Sequence, residues 1–207
     1  AAFMGEISSG VTTMVFNFLI LGLTGNTGIA AYGVVANVAL VATAVFNGIS
    51  QGSQPLLSDY YGKNDDKSVQ KILRLSIITG IAAAVLIILV TNLIPDVIVA
   101  VFNNENNAEM ASYAVFGGQL YFTGFLFAGF NIIGTGFLSA TESAAWAFLT
   151  SVLRGFVAIS LCAVILAALL GMTGVWLAFP VAELLTSLLM VIAIVQSVRK
   201  MPAKERL

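Results

Sequence analysis

An all-α, polytopic membrane fold is what this sequence predicts, and three observations carry the prediction. Apolar residues make up 59% of the 207 and charged residues 9%, whereas a soluble domain carries about 25% charged. Mean hydropathy is +0.99. Six apolar runs, each long enough for the roughly 20 residues that take a helix across about 30 Å of hydrocarbon, are separated by short polar joints. Hydrocarbon offers the backbone no hydrogen-bond partner, so runs of this length must be helices.

The runs are 3–23, 30–57, 72–94, 110–139, 145–170 and 175–198. Turn chemistry separates them: Thr24, Gly25 and Asn26 after the first, Pro95 and the asparagine cluster 103–107 after the third, Gly171 to Gly174 after the fifth. No joint is long enough for a domain linker, so residues 1–207 are expected to form one membrane domain. No signal peptide is visible, and the chain begins at Ala1 rather than methionine, so the first run is expected to have lost its start. The stretch 48–74 is the sharpest break in the apolar pattern. Pro55 fixes φ and removes a donor, so the second helix is expected to kink or end there. Tyr60, Tyr61, Gly62, Lys63, Lys67, Lys71 and Arg74 then read as an interfacial loop.

Orientation follows from the cations. Of nine Lys and Arg residues, four lie after the second run and four, Arg199, Lys200, Lys204 and Arg206, after the sixth. The positive-inside rule puts both ends of the chain in the cytoplasm and the acidic joint from Glu105 to Glu109 outside, in a plasma-membrane protein. The loop holding Glu142 is neutral to acidic and gives no direction.

Several functions are excluded. A net charge of −1 without a dense basic patch argues against nucleic acid. Cys162 is the one cysteine and forms no internal disulfide; no histidine is present, which removes His-dependent triads, HExxH zinc sites and histidine-ligated haem. With no histidine to activate a nucleophile, and with Asp59, Asp65, Asp66 and Asp96 all at run ends, neither an enzyme nor a metal or organic cofactor is expected.

The polar residues inside the runs are the candidate site. Arg154 is nine residues into the fifth run, about 13 Å from its start. Two readings stand beside each other: it snorkels to the headgroups, or it faces the bundle interior and gates or pairs with a carboxylate. Glu6 is followed by Ser9, Thr13 and Asn17 on one helix face. Glu183 lies eight residues into the sixth run with Thr186 and Ser187 at i+3 and i+4. Such stripes are either hydrogen-bond glue between helices or the lining of a wet cavity, where a desolvated carboxylate takes up a proton or a cation. Glu6 and Glu183 are thus the ion-coupling candidates, and Asn17, Asn37, Gln51, Gln119, Asn131 and Arg154 the cavity-lining candidates. Asn47 and Gln54 share the face of Asn37 and Gln51. Gly48 and Gly52 form a GxxxG pair, and the glycines of the fourth run, from Gly117 to Gly136, are expected at close helix contacts. Phe122, Phe125 and Phe127 are mostly packing residues that offer faces for a hydrophobic cation.

The run 51–62, QGSQPLLSDYYG, preceded by AAYGVVANVALVATAVFNGIS, resembles the end of the eighth helix and following loop of multidrug and toxic compound extrusion (MATE) transporters. Gln51, Gly52, Gln54, Pro55, Tyr61 and Gly62 carry that cytoplasmic motif. Glu6, the SVLRG run at 151–155 and GVWLAFPVAELLT at 174–186 agree with it. The resemblance covers the whole chain but matches only the C-terminal half of the twelve-helix fold. It implies an antiporter exporting amphipathic, often cationic, organic compounds in exchange for H+ or Na+, by rocking of two six-helix lobes. Its partners would be the N-terminal lobe, the bilayer and small organic substrates. The family's seventh-helix glutamate maps onto Glu6. The acidic residue that one branch uses in its tenth helix has no counterpart in 122–132, and the aspartate of another branch belongs to the other lobe. The alternative is a lipid-linked saccharide flippase of the same superfold, which would need several cavity cations where this chain has Arg154.

Overall fold

A computed structural model describes residues 2–104 and 106–201, with side chains from Thr12 onward. Among the described residues every regular element is helical: α1 (Ala2–Gly62), α2 (Asp66–Leu93), α3 (Pro95–Phe102), α4 (Ala108–Phe122), α5 (Phe125–Ala140), α6 (Ala144–Val152), a π-helical turn (Leu153–Ala158), α7 (Ile159–Leu170) and α8 (Met172–Lys200).

Although α1 is 61 residues long, it is not one rod. Gly25 has φ 67° and ψ −155°, a region only glycine enters without strain. On a straight helix Phe16 and Tyr32 would be about 24 Å apart at 1.5 Å per residue; instead their rings stack at 5.1 Å. The two arms therefore fold back on each other. The corner is tight, since a Cβ on Gly28 would run into Thr24 and Ile20. Four helices are long and apolar enough to cross a membrane, five when α4 and α5, bent by 49°, are taken as one span. The α1 hairpin supplies the sixth crossing. All six runs expected from the sequence thus fall on helix: the first two on the arms of α1, the fourth on α4 and α5, the fifth on α6, the π turn and α7.

The second arm corrects an expectation. Helix continues through Pro55 to Gly62, so the chain neither ends nor breaks there, and only residues 63–65 separate α1 from α2. Proline costs one backbone hydrogen bond and a clash with the carbonyl four residues back. Here that carbonyl belongs to the exposed Gln51, so the freed acceptor is not sealed in the core. Asn64 takes φ 57° to turn the chain, and Asp65 caps α2 by accepting from Ser68 N at 3.1 Å and Ser68 Oγ at 2.6 Å.

Three apolar clusters fill the bundle. The largest joins both arms of α1 to α4, α5, α7 and α8 through Phe16, Phe46, Phe125 and Trp176. A second, at the end carrying residues 63–65, joins Leu57, Val69 and Leu73 to Phe137, Met190 and Ala193. Val34, Val99 and Met110 form a third. Outward-facing apolar side chains such as Phe18, Leu93 and Leu169 are more than 70% exposed, which is inexpensive when the surroundings are lipid tails.

Candidate functional site

The site begins with two helix irregularities that face each other. Between α4 and α5 the chain bends at Thr123 and Gly124, and Gly124 lies against Phe179 and the backbone of Pro180, inside α8. Three residues beyond Pro180, Glu183 points inward with 5% of its side chain exposed. Asn131 of α5, fully buried, donates through Nδ2 to Glu183 Oε2 at 2.7 Å and to the Glu183 carbonyl at 2.9 Å. From the π turn Arg154 donates through Nε to Glu183 Oε1 at 2.7 Å. Each carboxylate oxygen thus has a donor, one charged and one neutral, and the ion pair is mostly withdrawn from solvent.

The π turn brings in a fourth element. A π turn carries one residue more than α-helical geometry allows and shifts the backbone pairing around it. The Gly155 carbonyl accepts from Thr12 Oγ1 of the first α1 arm at 3.1 Å. Glu183 thus joins three segments of the bundle, α8, α5 and the π turn, while Thr12 ties α1 to the π turn beside Arg154. Two acceptors fix the orientation of the Asn131 amide, because flipping it would set its oxygen against two others. Its Oδ1 is buried with no donor. Tyr121 sits beside this group, stacked on Phe179 at 4.3 Å.

A family model described as MatE matches residues 1–164. The chain belongs to the MatE family. Similar curated proteins include the multidrug export protein MepA of Staphylococcus aureus strain bovine RF122 / ET3-1, 28% identical over 187 residues, and that of Staphylococcus haemolyticus strain JCSC1435, 30% identical over 184. These matches take in 90% and 88% of this chain but 40% and 39% of those proteins. Among solved structures, the Vibrio cholerae MATE transporter VcmN in the bent form superposes with a TM-score of 0.88 at 15% identity. That match covers 97% of this chain and 45% of VcmN. An inward-facing MATE-family transporter of the MOP superfamily gives 0.87 at 11%, with 98% and 46% covered. Those likenesses show the fold: a membrane-embedded lobe spanning less than half of each full transporter.

The candidate residues of this MatE-family chain separate into groups. Glu183, Arg154 and Asn131 come together. Asn131, expected to line a cavity, is enclosed, and Arg154 pairs with Glu183 rather than snorkelling. Thr186 and Ser187 are not interhelical glue: their hydroxyls donate to carbonyls of their own helix, at Ala182 and Glu183. Glu6 and Ser9 lie on the α1 backbone with side chains outside the described residues, as do Glu105, Lys204 and Arg206 altogether. Asn17 and Gln119 are half-buried, on α1 and α4. Asn37 and Gln51 are exposed on the second arm, and the Asn37 amide donates to the Gly33 carbonyl at 2.9 Å. In the 51–62 motif Gln54 donates weakly to Ser50 Oγ at 3.4 Å, Tyr61 is half-buried, and Gly52 and Gly62 are exposed.

Two packing expectations change. A Cβ added at Gly48 or Gly52 would meet nothing within 4 Å, so this GxxxG pair brings no helix close within the chain. Gly117, Gly129, Gly134 and Gly136 do hold close contacts, against Trp176, Phe46, Met190 and Ser50. The rings of Phe122 and Phe125 stack on each other at 5.4 Å, and Phe125 also on Phe46 at 5.9 Å. Their faces are occupied by other rings and are closed to a cation. The residue that sequence reasoning passed over is Thr12, whose hydroxyl ties α1 to the π turn. A Thr in an apolar run carries no signal that its partner lies 143 residues away.

Proposed function

We propose that this chain is the C-terminal lobe of a secondary active multidrug exporter that exchanges amphipathic, cationic organic compounds for H+, or for Na+, by alternating access. The observation that supports the reading best is the buried Glu183, held by Arg154 and Asn131 where three segments meet. A carboxylate in that position changes its partners when it takes up a proton: the charge on Arg154 loses its counter-ion, and the three segments lose a shared anchor. The unpartnered Asn131 oxygen adds an acceptor at the group that would receive H+ or Na+. Glu6 is the second coupling candidate, since it lies six residues before Thr12 on the arm tied to the π turn.

A cationic substrate follows from charge. Arg154 is neutralised by Glu183, so of the three in-span charges that the sequence places, two acids and one arginine, the balance is negative and favours a cation in the cavity. The same pairing removes the one intramembrane cation that a lipid-linked saccharide flippase would present to phosphate. An N-terminal lobe is the proposed partner, with the exposed face of α1 that bears Asn37, Gly48 and Gln51 turned toward it. Both chain ends are placed in the cytoplasm of a plasma-membrane protein.

The test is efflux of a fluorescent cationic dye from vesicles holding the full-length transporter, driven by a pH or a sodium gradient. Wild type, Glu183→Gln and Glu6→Gln are compared at equal folded amounts. Gradient-driven efflux is expected to be lost in one or both variants, and the effective gradient names the ion. Wild-type efflux in both would move coupling to the other lobe; equal export of anionic and cationic dyes would remove the charge preference.

A further inference from the structure

Between α2 and α8, at the bundle end that carries residues 63–65, lies an open groove of about 730 Å³. Lys71 and Arg74 of α2 line it together with Gln70, while Leu73, Ile77 and Val198 of α8 supply apolar surface. Lys71 and Arg74 are one turn apart and exposed, and neither is in an ion pair or hydrogen bond among the described residues. Their side chains start about 5 to 10 Å along the helix from Ile77 and Ile78. Cations thus lie at the groove mouth and hydrocarbon-compatible surface just deeper, which is the order in which a phospholipid presents its phosphate and its acyl chains. Among the described residues no carboxylate lines the groove; the nearby Asp65 is engaged by Ser68. Arg199 and Lys200 follow Val198 in the last turn of α8 and add positive charge at the same end.

We propose that this groove is a binding site for an anionic phospholipid, whose phosphate is held by Lys71 and Arg74 and whose acyl chain lies against Leu73, Ile77 and Val198. Charge decides between occupants. A zwitterionic lipid has no net charge to match two cations that are unpaired among the described residues. The site is separate from Glu183, so it stands whether or not that residue couples transport. Basic pockets between membrane helices hold anionic headgroups in this way.

The experiment is native mass spectrometry of the full-length transporter released from detergent, titrated with phosphatidylglycerol or phosphatidylcholine of the same chain length. Wild type is expected to retain phosphatidylglycerol in preference. Lys71→Gln with Arg74→Gln should weaken that retention by about thirtyfold, two surface cations at about 1 kcal/mol each, and Lys71→Arg with Arg74→Lys should keep it. Lys63→Gln, a cation at the same end that pairs with Asp59 and does not line the groove, should leave it unchanged. Equal retention of both lipids, undiminished retention in the double Gln variant, or equal loss in Lys63→Gln would overturn the proposal. So would displacement of the lipid by equimolar inorganic phosphate, which would mark a free-anion site, or binding that appears only after residues 202–207 are deleted, which would make the chain end the occupant. Both cations are exposed, and a thermal unfolding curve confirms that the variants are folded.

Discussion

At the scale of single residues, the molecule turns on a charge that the bilayer disfavours. Burying two ions costs several kcal/mol each, and their attraction repays it only with good geometry and satisfied hydrogen bonds. The pair of Arg154 and Glu183 has both, at 2.7 Å with Asn131 on the second oxygen. Arg154→Met is therefore expected to destabilise the folded state by about 3 to 5 kcal/mol, because it strands a buried carboxylate. The double change Arg154→Met with Glu183→Leu should recover most of that loss. A double-mutant cycle of unfolding in detergent reads the coupling; additive single effects would show that the two side chains do not depend on each other. Arg154→Lys separates charge from geometry, since a lysine keeps the charge and loses the planar fork. If transport is unchanged in Arg154→Lys, the guanidinium does not gate. Asp65 offers the pH-dependent case outside the membrane: the hydrogen bonds from Ser68 Oγ and then Ser68 N hold its carboxyl below the usual 3.8. A depressed folded value means that its contribution is complete above that ordinary pKa and is lost as pH falls through the folded one. Hydrogen exchange in the first turn of α2, compared between wild type and Asp65→Ala, should show a protection difference that is constant from neutral pH down to about pH 5 and shrinks below pH 3.8. The pairing of Arg154 with a carboxylate was one of two readings the sequence allowed. That Glu183 is its acid needed the fold, because residues 29 apart on separate helices carry no local spacing signal.

At the scale of elements, the helices were legible because every run is long and apolar, while the way they are interrupted was not. Gly25 sits in a joint that the sequence marks as a turn, and the structure makes it the corner of the α1 hairpin. Pro55 carried a stronger turn signal and is passed over by continuous helix. The difference is physical: a proline removes one hydrogen bond near a helix end, whereas φ 67° with ψ −155° is closed to any residue with a Cβ. Gly25→Ala is accordingly expected to cost about 1 to 3 kcal/mol, although nothing lies within 4 Å of the added methyl. Gly22→Ala, equally open but helical, should be neutral or stabilising by up to about 1 kcal/mol. Equal stabilities for the two variants, measured by denaturant titration in detergent, would mean that the backbone at Gly25 is not what sets the corner. The π turn left no trace in the apolar pattern either: one extra residue displaces a helical stripe by about 100°, too little to see in a run that is apolar all round.

At the scale of the whole molecule, the cations gather at one end of the bundle, and the proposed orientation turns that end to the cytoplasm. The groove lined by Arg74 and Val198 puts the start of α2 and the end of α8 on the same side, so the basic joint after α1 and the basic last turn of α8 act together as one band of positive charge. The joint after α3, with Asn103 to Asn107, is reached only after α2 has crossed, and so emerges on the opposite side. Charge retention at the cytoplasmic face depends on such a band, and here it is built from two segments about 125 residues apart that only the fold unites. Single cysteines at Lys67 and Asn104, both exposed, in a background with Cys162→Ala, test the arrangement with a membrane-impermeant maleimide on intact cells. Lys67→Cys should be labelled only after the membrane is opened, and Asn104→Cys without opening it. Native Cys162 is buried in the largest apolar cluster, so Cys162→Ala leaves a small cavity and is expected to be mildly destabilising, and folding of this background is checked first. The reverse labelling pattern would invert the lobe and place the lipid groove in the outer leaflet; labelling of both positions from one side would mean that α2 does not cross.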